Sequence, residues 1–459
     1  MPQALLKPET TRVGEAIKLS EIIAAMSYAL DITEGQPAGH CVRCCWIGMH
    51  IGQKAGLSPD QLWELYYTLL LKDLGCSSNA ARICELYLTD DLKFKRDFKT
   101  VGDSLPQVLA FVFSHTGLKA GLAERFRSVL GILRNGTEIA QELIATRCQR
   151  GAEIARLLRF PEAVSSGIYS LDEHFNGKGR PAALAGDKIP VYARIALLAQ
   201  VIDVFHTADG RSAALKEARA RSGTWFDPGL VASFEAVASD ERFWATLASP
   251  EVDAAVVALV PSGHEVPLDE DYLDDIAAAF GQVVDSKSPY TSGHSARVAL
   301  YTDMIAEELG MSEARRRWLR RGALLHDVGK LGVSNSVLDK AGALDRAEWD
   351  AVKLHAEYSE RILSRIGAFS ELALMAGAHH ERLDGTGYPR GLKADDISIE
   401  TRVVTTADIF DAITAERPYR GAIAVPKALD MMAQTVGTAL DAECFDALKR
   451  AIARLPVPL

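Results

Sequence analysis

The chain has 459 residues, of which 48% are hydrophobic and 24% charged, and a formal net charge of −10. That is enough apolar material for two cores, and the acidic balance excludes a protein built to wrap duplex nucleic acid, which needs a basic footprint. Seven cysteines, an odd number with no small-scaffold framework, imply free thiols in a reducing compartment. No apolar run approaches the ~20 residues that span a bilayer, and Met1 to Lys18 lacks the apolar centre of a signal peptide. The expectation is a cytoplasmic protein with no membrane partner.

Helical periodicity dominates along the chain. Cys41 and Cys45 fall at i,i+4 on a predicted helix and no second cysteine pair follows, so Cys41, Cys44 and Cys45 read as buried thiols rather than a metal or redox cluster. Pro250, Pro261-Ser262-Gly263 and Pro267 mark a linker, which divides the chain into 1–262 and 263–459. Beyond it, Leu273, Ile276, Ala277, Phe280 and Val284 form one face of a helix. Gly310 closes the next helix and Ser312 caps the one after. That helix carries Arg315-Arg316-Arg317 with Arg320 and Arg321, read as a solvated basic face. Asp345 and Glu348 have capping-box spacing, with Leu344 and Trp349 placed as a hydrophobic staple, so a helix runs from about Arg346 past His355. Residues 390–399 suit a loop or a short extended piece. The fold class that follows is all-α.

The two halves repeat one another. Gly39-His40, Arg43, Gly56, Ser58, Lys72-Asp73 and Gly75 recur 254 residues later as Gly293-His294, Arg297, Gly310, Ser312, His326-Asp327 and Gly329. Glu173, Gly177, Gly179, Pro181, Arg194 and Asp203 recur 208 residues later as Glu381, Gly385, Gly387, Pro389, Arg402 and Asp411. The chain therefore reads as a tandem duplication whose first copy holds 46 extra residues between the two blocks.

What differs between the copies carries the chemistry. His294, His326, His355, His379 and His380, with Asp327 and Asp408, gather imidazoles and carboxylates in the second copy, the donor set of a first-row metal centre. The adjacent pairs His326-Asp327 and His379-His380 can converge only where a helix ends, and Gly329 supplies one such ending. Asp408 and Asp411 share a helix face with Val404, and charged groups set against a core require a partner. Opposite His326, His355, His379, His380 and Asp408 the first copy has Lys72, Arg147, Leu171, Asp172 and Gln200. Protonated lysine and arginine cannot ligate metal near neutral pH, so the first copy is expected to be metal-free and structural or regulatory. Its His40 and Asp73 read as residual polar core groups.

The residues His326-Asp327-x-Gly329-Lys330, His355, His379-His380-Glu381-x-x-Asp384-Gly385-x-Gly387-Tyr388-Pro389, Asp408-x-x-Asp411 and Arg417-Pro418-Tyr419-Arg420 resemble the HD-GYP family of the HD phosphohydrolase superfamily. The resemblance covers about 270–455, and the first half resembles a degenerate copy of the same domain. It implies a helical domain with a metal cluster, usually iron or manganese, that opens cyclic di-GMP to linear pGpG and sometimes continues to GMP. It assigns metal ligation to His326, Asp327, His355, His379, His380 and Asp408, with His294 a further ligand in some members. Where certain members have a glutamate associated with a third metal this chain has Tyr290, so two divalent ions are expected. Asp327 would bridge them and Lys330 would stabilise the phosphoryl oxygens, both acting in catalysis. Arg417, Arg420, Tyr388 and Asp411 would contact the cyclic dinucleotide. Two alternatives are a phosphohydrolase for another nucleotide and a non-catalytic module binding a dinucleotide or partner. The first copy is expected to serve dimerisation or a signalling partner.

Overall fold

The computed structural model describes residues 18–101, 105–118, 121–261, 266–416 and 420–455. Helices account for the regular structure, and among the described residues there are isolated bridges but no strand. The first copy begins with α1 (Leu19–Thr33), α2 (His40–Lys54) and α3 (Pro59–Leu71). Next come α4 (Ala80–Tyr87), α5 (Asp91–Phe98), α6 (Leu105–His115) and the kinked α7 (Leu122–Leu157). It continues with α8 (Glu162–Tyr169), α9 (Val191–Ala220), α10 (Pro228–Ala238), α11 (Glu241–Leu247) and α12 (Val252–Val257). The second copy comprises α13 (Glu270–Asp285), α14 (His294–Glu308), α15 (Glu313–Leu325), α16 (Asn335–Leu338), α17 (Arg346–Leu363), α18 (Ser370–Ala378), α19 (Ile399–Thr414), α20 (Val425–Ala433) and α21 (Ala442–Ala453).

Local sequence explains where these helices start. Ser58 and Ser312 each accept a backbone N–H three residues on, from Gln61 and Arg315. Asp345 and Glu348 form the reciprocal capping box at the head of α17, which satisfies two donors that a helix start leaves orphaned. The staple is not its companion, because Trp349 is 47% exposed. Residues 390–398 form a loop with one short 3-10 turn, Ala394–Asp396, and α19 begins at Ile399.

The repeat is three-dimensional as well as sequential. His40 Nδ1 lies 2.7 Å from Asp203, and His294 Nδ1 lies 2.7 Å from Asp411. Arg43 and Arg297 clasp the same two aspartates. Glu173 accepts the N–H groups of Ala182 and Leu184, as Glu381 accepts those of Arg390 and Leu392. The pair Arg194–Asp227 is matched by Arg402–Asp441. Buried polar groups need such partners, and both copies keep them. The extra residues of the first copy form α5, α6 and the start of α7, since α4 lies opposite α16 at the 254-residue offset.

The halves do not have separate cores. One continuous cluster of buried apolar residues runs from Leu19 to Leu448, where composition suggested two. α1 packs on α17 and on the 3-10 turn Val328–Gly332, while α13 packs reciprocally on α7. A buried polar seam joins them: Asp91 accepts the Ser334 hydroxyl and the Asn335 N–H, both at 2.9 Å, with Lys95 and Lys287 beside its other oxygen. The division proposed at 262/263 falls in 262–265, outside the described residues.

Two expectations are corrected here. The basic run on α15 is an ion-pair network, not a free solvated face: Arg316 and Arg320 share Asp303 of α14, Arg317 and Arg321 share Asp274 of α13, and Arg315 reaches Glu400 of α19. One stretch of α9, Val191–Asp209, is long and apolar enough to cross a membrane, but 61% of it is buried inside the protein. It lies against α2, α3 and α8 as a core helix.

Candidate metal centre

The ends of three helices and the middles of two more meet at one point. Gly293, in the left-handed region at φ 68°, turns the chain into α14 so that His294 is its first residue. His326 and Asp327 follow the last turn of α15. His355 lies within α17, His379 and His380 follow α18, and Asp408 projects from α19. Gly329 is required for proximity rather than for ending a helix. A Cβ there would stand 2.0 Å from the carbonyl oxygen of His355 and 2.6 Å from the Ser359 nitrogen.

Three imidazoles are oriented alike. Nδ1 of His326, His355 and His379 each lies within 2.5–2.7 Å of the carbonyl oxygen three residues earlier, on Ala323, Val352 and Ala376. With Nδ1–H donating outward, the Nε2 lone pairs point into the site, as metal ligation requires. His294 is oriented instead by a carboxylate, Asp411, and Arg297 holds that carboxylate in turn.

Asp327 sits between two groups of these nitrogens. Its Oδ2 lies 3.2 Å from Nε2 of both His294 and His326, and its Oδ1 lies 3.4 Å from His355 and 3.7 Å from His379. Asp408 closes the first group, 3.4 Å from His294. His380 closes the second, its Nε2 3.1 Å from that of His355. Burial pushes His355 down to about 4 and His379 to about 3, so both are neutral donors near pH 7. Burial opposes ionisation of Asp327, yet His326 and Lys330 hold its carboxyl well below the usual range. Nε2 of His294, Nε2 of His326 and Oδ1 of Asp327 are buried without a hydrogen-bond partner. Inward lone pairs, an ionised carboxylate between them and orphaned buried atoms together fit divalent cations.

Comparison with known proteins accords with this geometry. The HD domain family profile matches residues 132–230 and 279–444. The chain is 58% identical over 438 residues, 95% of each chain, to 3′3′-cGAMP-specific phosphodiesterase 3 of Vibrio cholerae. It is 36% identical over 199 residues, 43% of this chain and 52% of the other, to the cyclic di-GMP phosphodiesterase response regulator RpfG of Xanthomonas campestris. A crystal structure described as a cyclic GMP-AMP specific phosphodiesterase of V. cholerae superposes with a TM-score of 0.67, at 51% identity, covering 96% of this chain and 99% of that one. The chain belongs to the HD domain family.

Within this HD-domain chain the first copy replaces the metal pocket with ion pairs. Lys72, at the position of His326, places its ammonium on Asp73 and 3.1 Å from Gln200. Arg147 and Asp172, standing where His355 and His380 stand, pair with each other. Lys99, from the extra segment, lies 2.9 Å from Glu34. Burial opposes the charge on Lys72, yet Asp73 holds its ammonium protonated. Asp73, the counterpart of Asp327, faces a side-chain cation, and Gln200 stands where Asp408 stands.

The residues expected to meet substrate are placed unevenly. Tyr388 stacks on His380 with centroids 4.9 Å apart, at the edge of the histidine cluster. Lys330 pairs with Asp327. Asp411 is not a substrate contact: it is 1% exposed and its oxygens are taken by His294 and Arg297. The Arg420 guanidinium donates to the carbonyls of Ala412 and Ile413, near the end of α19, and of Gly421. Arg417 lies outside the described residues. Tyr290 lines a separate cavity of 870 Å³ with Arg297, Tyr301 and Phe410. Sequence reasoning missed the orienting carbonyls of Ala323, Val352 and Ala376, for which backbone leaves no residue-type signal.

Proposed function

We propose that the second copy hydrolyses 3′3′-cGAMP, opening one 3′–5′ phosphodiester bond to a linear dinucleotide, in the cytoplasm and with two divalent ions, iron or manganese. The chain is a phosphodiesterase, as its family and its enzyme relatives imply. The observation that carries the two-ion reading is the position of Asp327 between two sets of histidine nitrogens. The choice of 3′3′-cGAMP over the cyclic di-GMP expected from sequence rests on coverage. The relative named for 3′3′-cGAMP matches over 95% of this chain, and the cyclic di-GMP relative named above over 43%.

In this reading His294, His326, Asp327 and Asp408 hold one ion, and His355, His379, His380 and Asp327 the other. Bound there, the ions supply Lewis acidity, which makes water nucleophilic near neutral pH and draws charge from the phosphoryl oxygens. Lys330 adds a fixed positive charge beside Asp327, where charge develops as the 3′ oxygen leaves. The Tyr388 ring, held against His380, offers a face for a base or sugar. Asp411 and Arg297 fix the His294 ring.

The test is anaerobic incubation of iron- or manganese-loaded protein with 3′3′-cGAMP and with cyclic di-GMP, the products being separated by chromatography. A preference of about tenfold or more for 3′3′-cGAMP in kcat/KM is expected, equal to ~1.4 kcal/mol of transition-state binding. Equal or faster turnover of cyclic di-GMP would overturn the substrate assignment.

A further inference from the structure

The large apolar side chains left outside the core are not spread evenly. Among the described residues, six of the fourteen that are exposed fall between Phe98 and Leu133: Phe98, Phe113, Leu118, Leu122, Phe126 and Leu133. They lie in the segment that the second copy lacks, so the shared fold does not require them. The inward side of that segment is already satisfied. Phe94 and Phe111 pack with Ile83 in a small apolar cluster of their own, and Val129 and Ile132 of α7 are buried. On α7, Leu122, Phe126 and Leu133 fall at i, i+4 and i+11, one stripe along the helix. Leu122 is 86% exposed and Phe126 68%, more than scattered surface apolar residues call for, and contiguous patches of this kind mark contact sites. Arg127 and Arg134 each follow a stripe residue by one position, which sets them about 100° round the helix, along the edge of the stripe. Both are exposed, and neither makes an ion pair among the described residues. The Arg125 guanidinium donates to the Phe113 carbonyl at 2.9 Å, which holds the end of α6 beside the first turn of α7. From Leu105 to Arg134, just before the kink at Asn135, the sequence has four Lys/Arg and one Asp/Glu, in a chain whose net charge is −10. This face is therefore a basic, apolar island on an acidic protein.

We propose that this face docks the protein peripherally on an anionic lipid bilayer, with Leu122, Phe126 and Leu133 entering the headgroup region and Arg127 and Arg134 meeting lipid phosphates. An apolar stripe bordered by arginines is what a helix lying in a membrane interface presents. Guanidinium forks match phosphate oxygens, and cations close to an anionic leaflet add attraction. A second copy of the chain fits this face less well, because it would bring the same arginines and a single carboxylate to meet them. The contact is with the surface alone, since α6, at 11 residues, is too short to span a bilayer. Sequence led to the expectation of no membrane partner because apolar run length reports spans, whereas an exposed face is set by packing.

Co-sedimentation of full-length, metal-loaded protein with sucrose-filled vesicles tests this, using phosphatidylglycerol mixed with phosphatidylcholine and, separately, phosphatidylcholine alone. Saturable binding to the phosphatidylglycerol vesicles is expected, at least about fivefold tighter than to phosphatidylcholine and weakened by added salt. Leu122→Ser and Phe126→Ser should each weaken it about tenfold or more, through loss of an inserted apolar side chain, and Arg127→Gln about fivefold. Leu374→Ser, at an exposed apolar site on α18 of the second copy, should leave binding unchanged. The substituted side chains lie outside the core, so each variant should keep the wild-type thermal midpoint, and any that does not is replaced by Phe126→Gln. Absence of binding to phosphatidylglycerol vesicles, or binding indifferent to both Leu122→Ser and Phe126→Ser, overturns the proposal. A dimer in solution that Phe126→Ser dissociates would assign the face to a second copy and overturns it as well. Hydrolysis is not read here, so failure leaves the phosphodiesterase reading standing.

Discussion

His294 and Asp327 are the residues on which the centre turns. Asp327 presents one oxygen to each group of nitrogens, within 3.2–3.7 Å of four imidazoles. Asp327→Ala is expected to remove bound metal, measured by mass spectrometry, and to abolish hydrolysis; full metal content with activity retained would refute the bridging role. Asp411 acts at one remove, through the ring of His294. Asp411→Asn should keep the fold yet lower metal affinity or activity by about 10–100-fold, as for other residues that orient a ligand. Its counterpart Asp203 makes the same contact to His40 in the first copy, away from the histidine cluster of the second. Asp203→Asn should therefore leave hydrolysis within about twofold of wild type, each surviving bond being worth only ~1 kcal/mol.

At the scale of elements, the site depends on how closely the turn after α15 approaches α17. The Gly329 Cα–His355 oxygen approach leaves no room for a methyl group, and both neighbours there are backbone. Gly329→Ala should cost about 1–3 kcal/mol or more, seen as a lower midpoint in urea, and should reduce activity as His355 shifts. Gly310→Ala provides the comparison: it has φ 72° and open space around it, so only about 1 kcal/mol is expected, with activity kept. The element boundaries were largely legible in the sequence, because Ser312, Asp345 and Glu348 announce helix starts through their own side chains. The ion pairs of the α15 arginines were not, since Asp274 and Asp303 lie on other helices and only packing brings them together.

Across the whole molecule the two copies share one apolar cluster and a buried polar seam. Calorimetry of the metal-loaded protein should show a single unfolding transition, and two well-separated transitions would contradict a shared core. Asp91→Ala would strand the buried Lys287 near the junction. A loss of about 3–5 kcal/mol is expected, the usual cost of breaking a buried ion pair on one side. Because α1 packs on α17 and on the turn carrying Lys330, that loss should also reduce hydrolysis by the second copy.

The sequence by itself determined the helical class and the duplication and singled out the histidine cluster, because periodicity, capping residues and paired histidines are properties of residue order. The contrast of Lys72 with His326 also marked which copy could ligate metal, since a protonated amine has no lone pair to give. Tertiary structure decided what order cannot encode. It placed Asp327 between two sets of nitrogens, turned Asp411 inward behind His294, and set Arg420 against the end of α19. It also merged the two cores into one and set the Lys72 ammonium beside Asp73, the counterpart of Asp327. Those outcomes depend on which side chains from distant segments reach the same point, and only packing sets that.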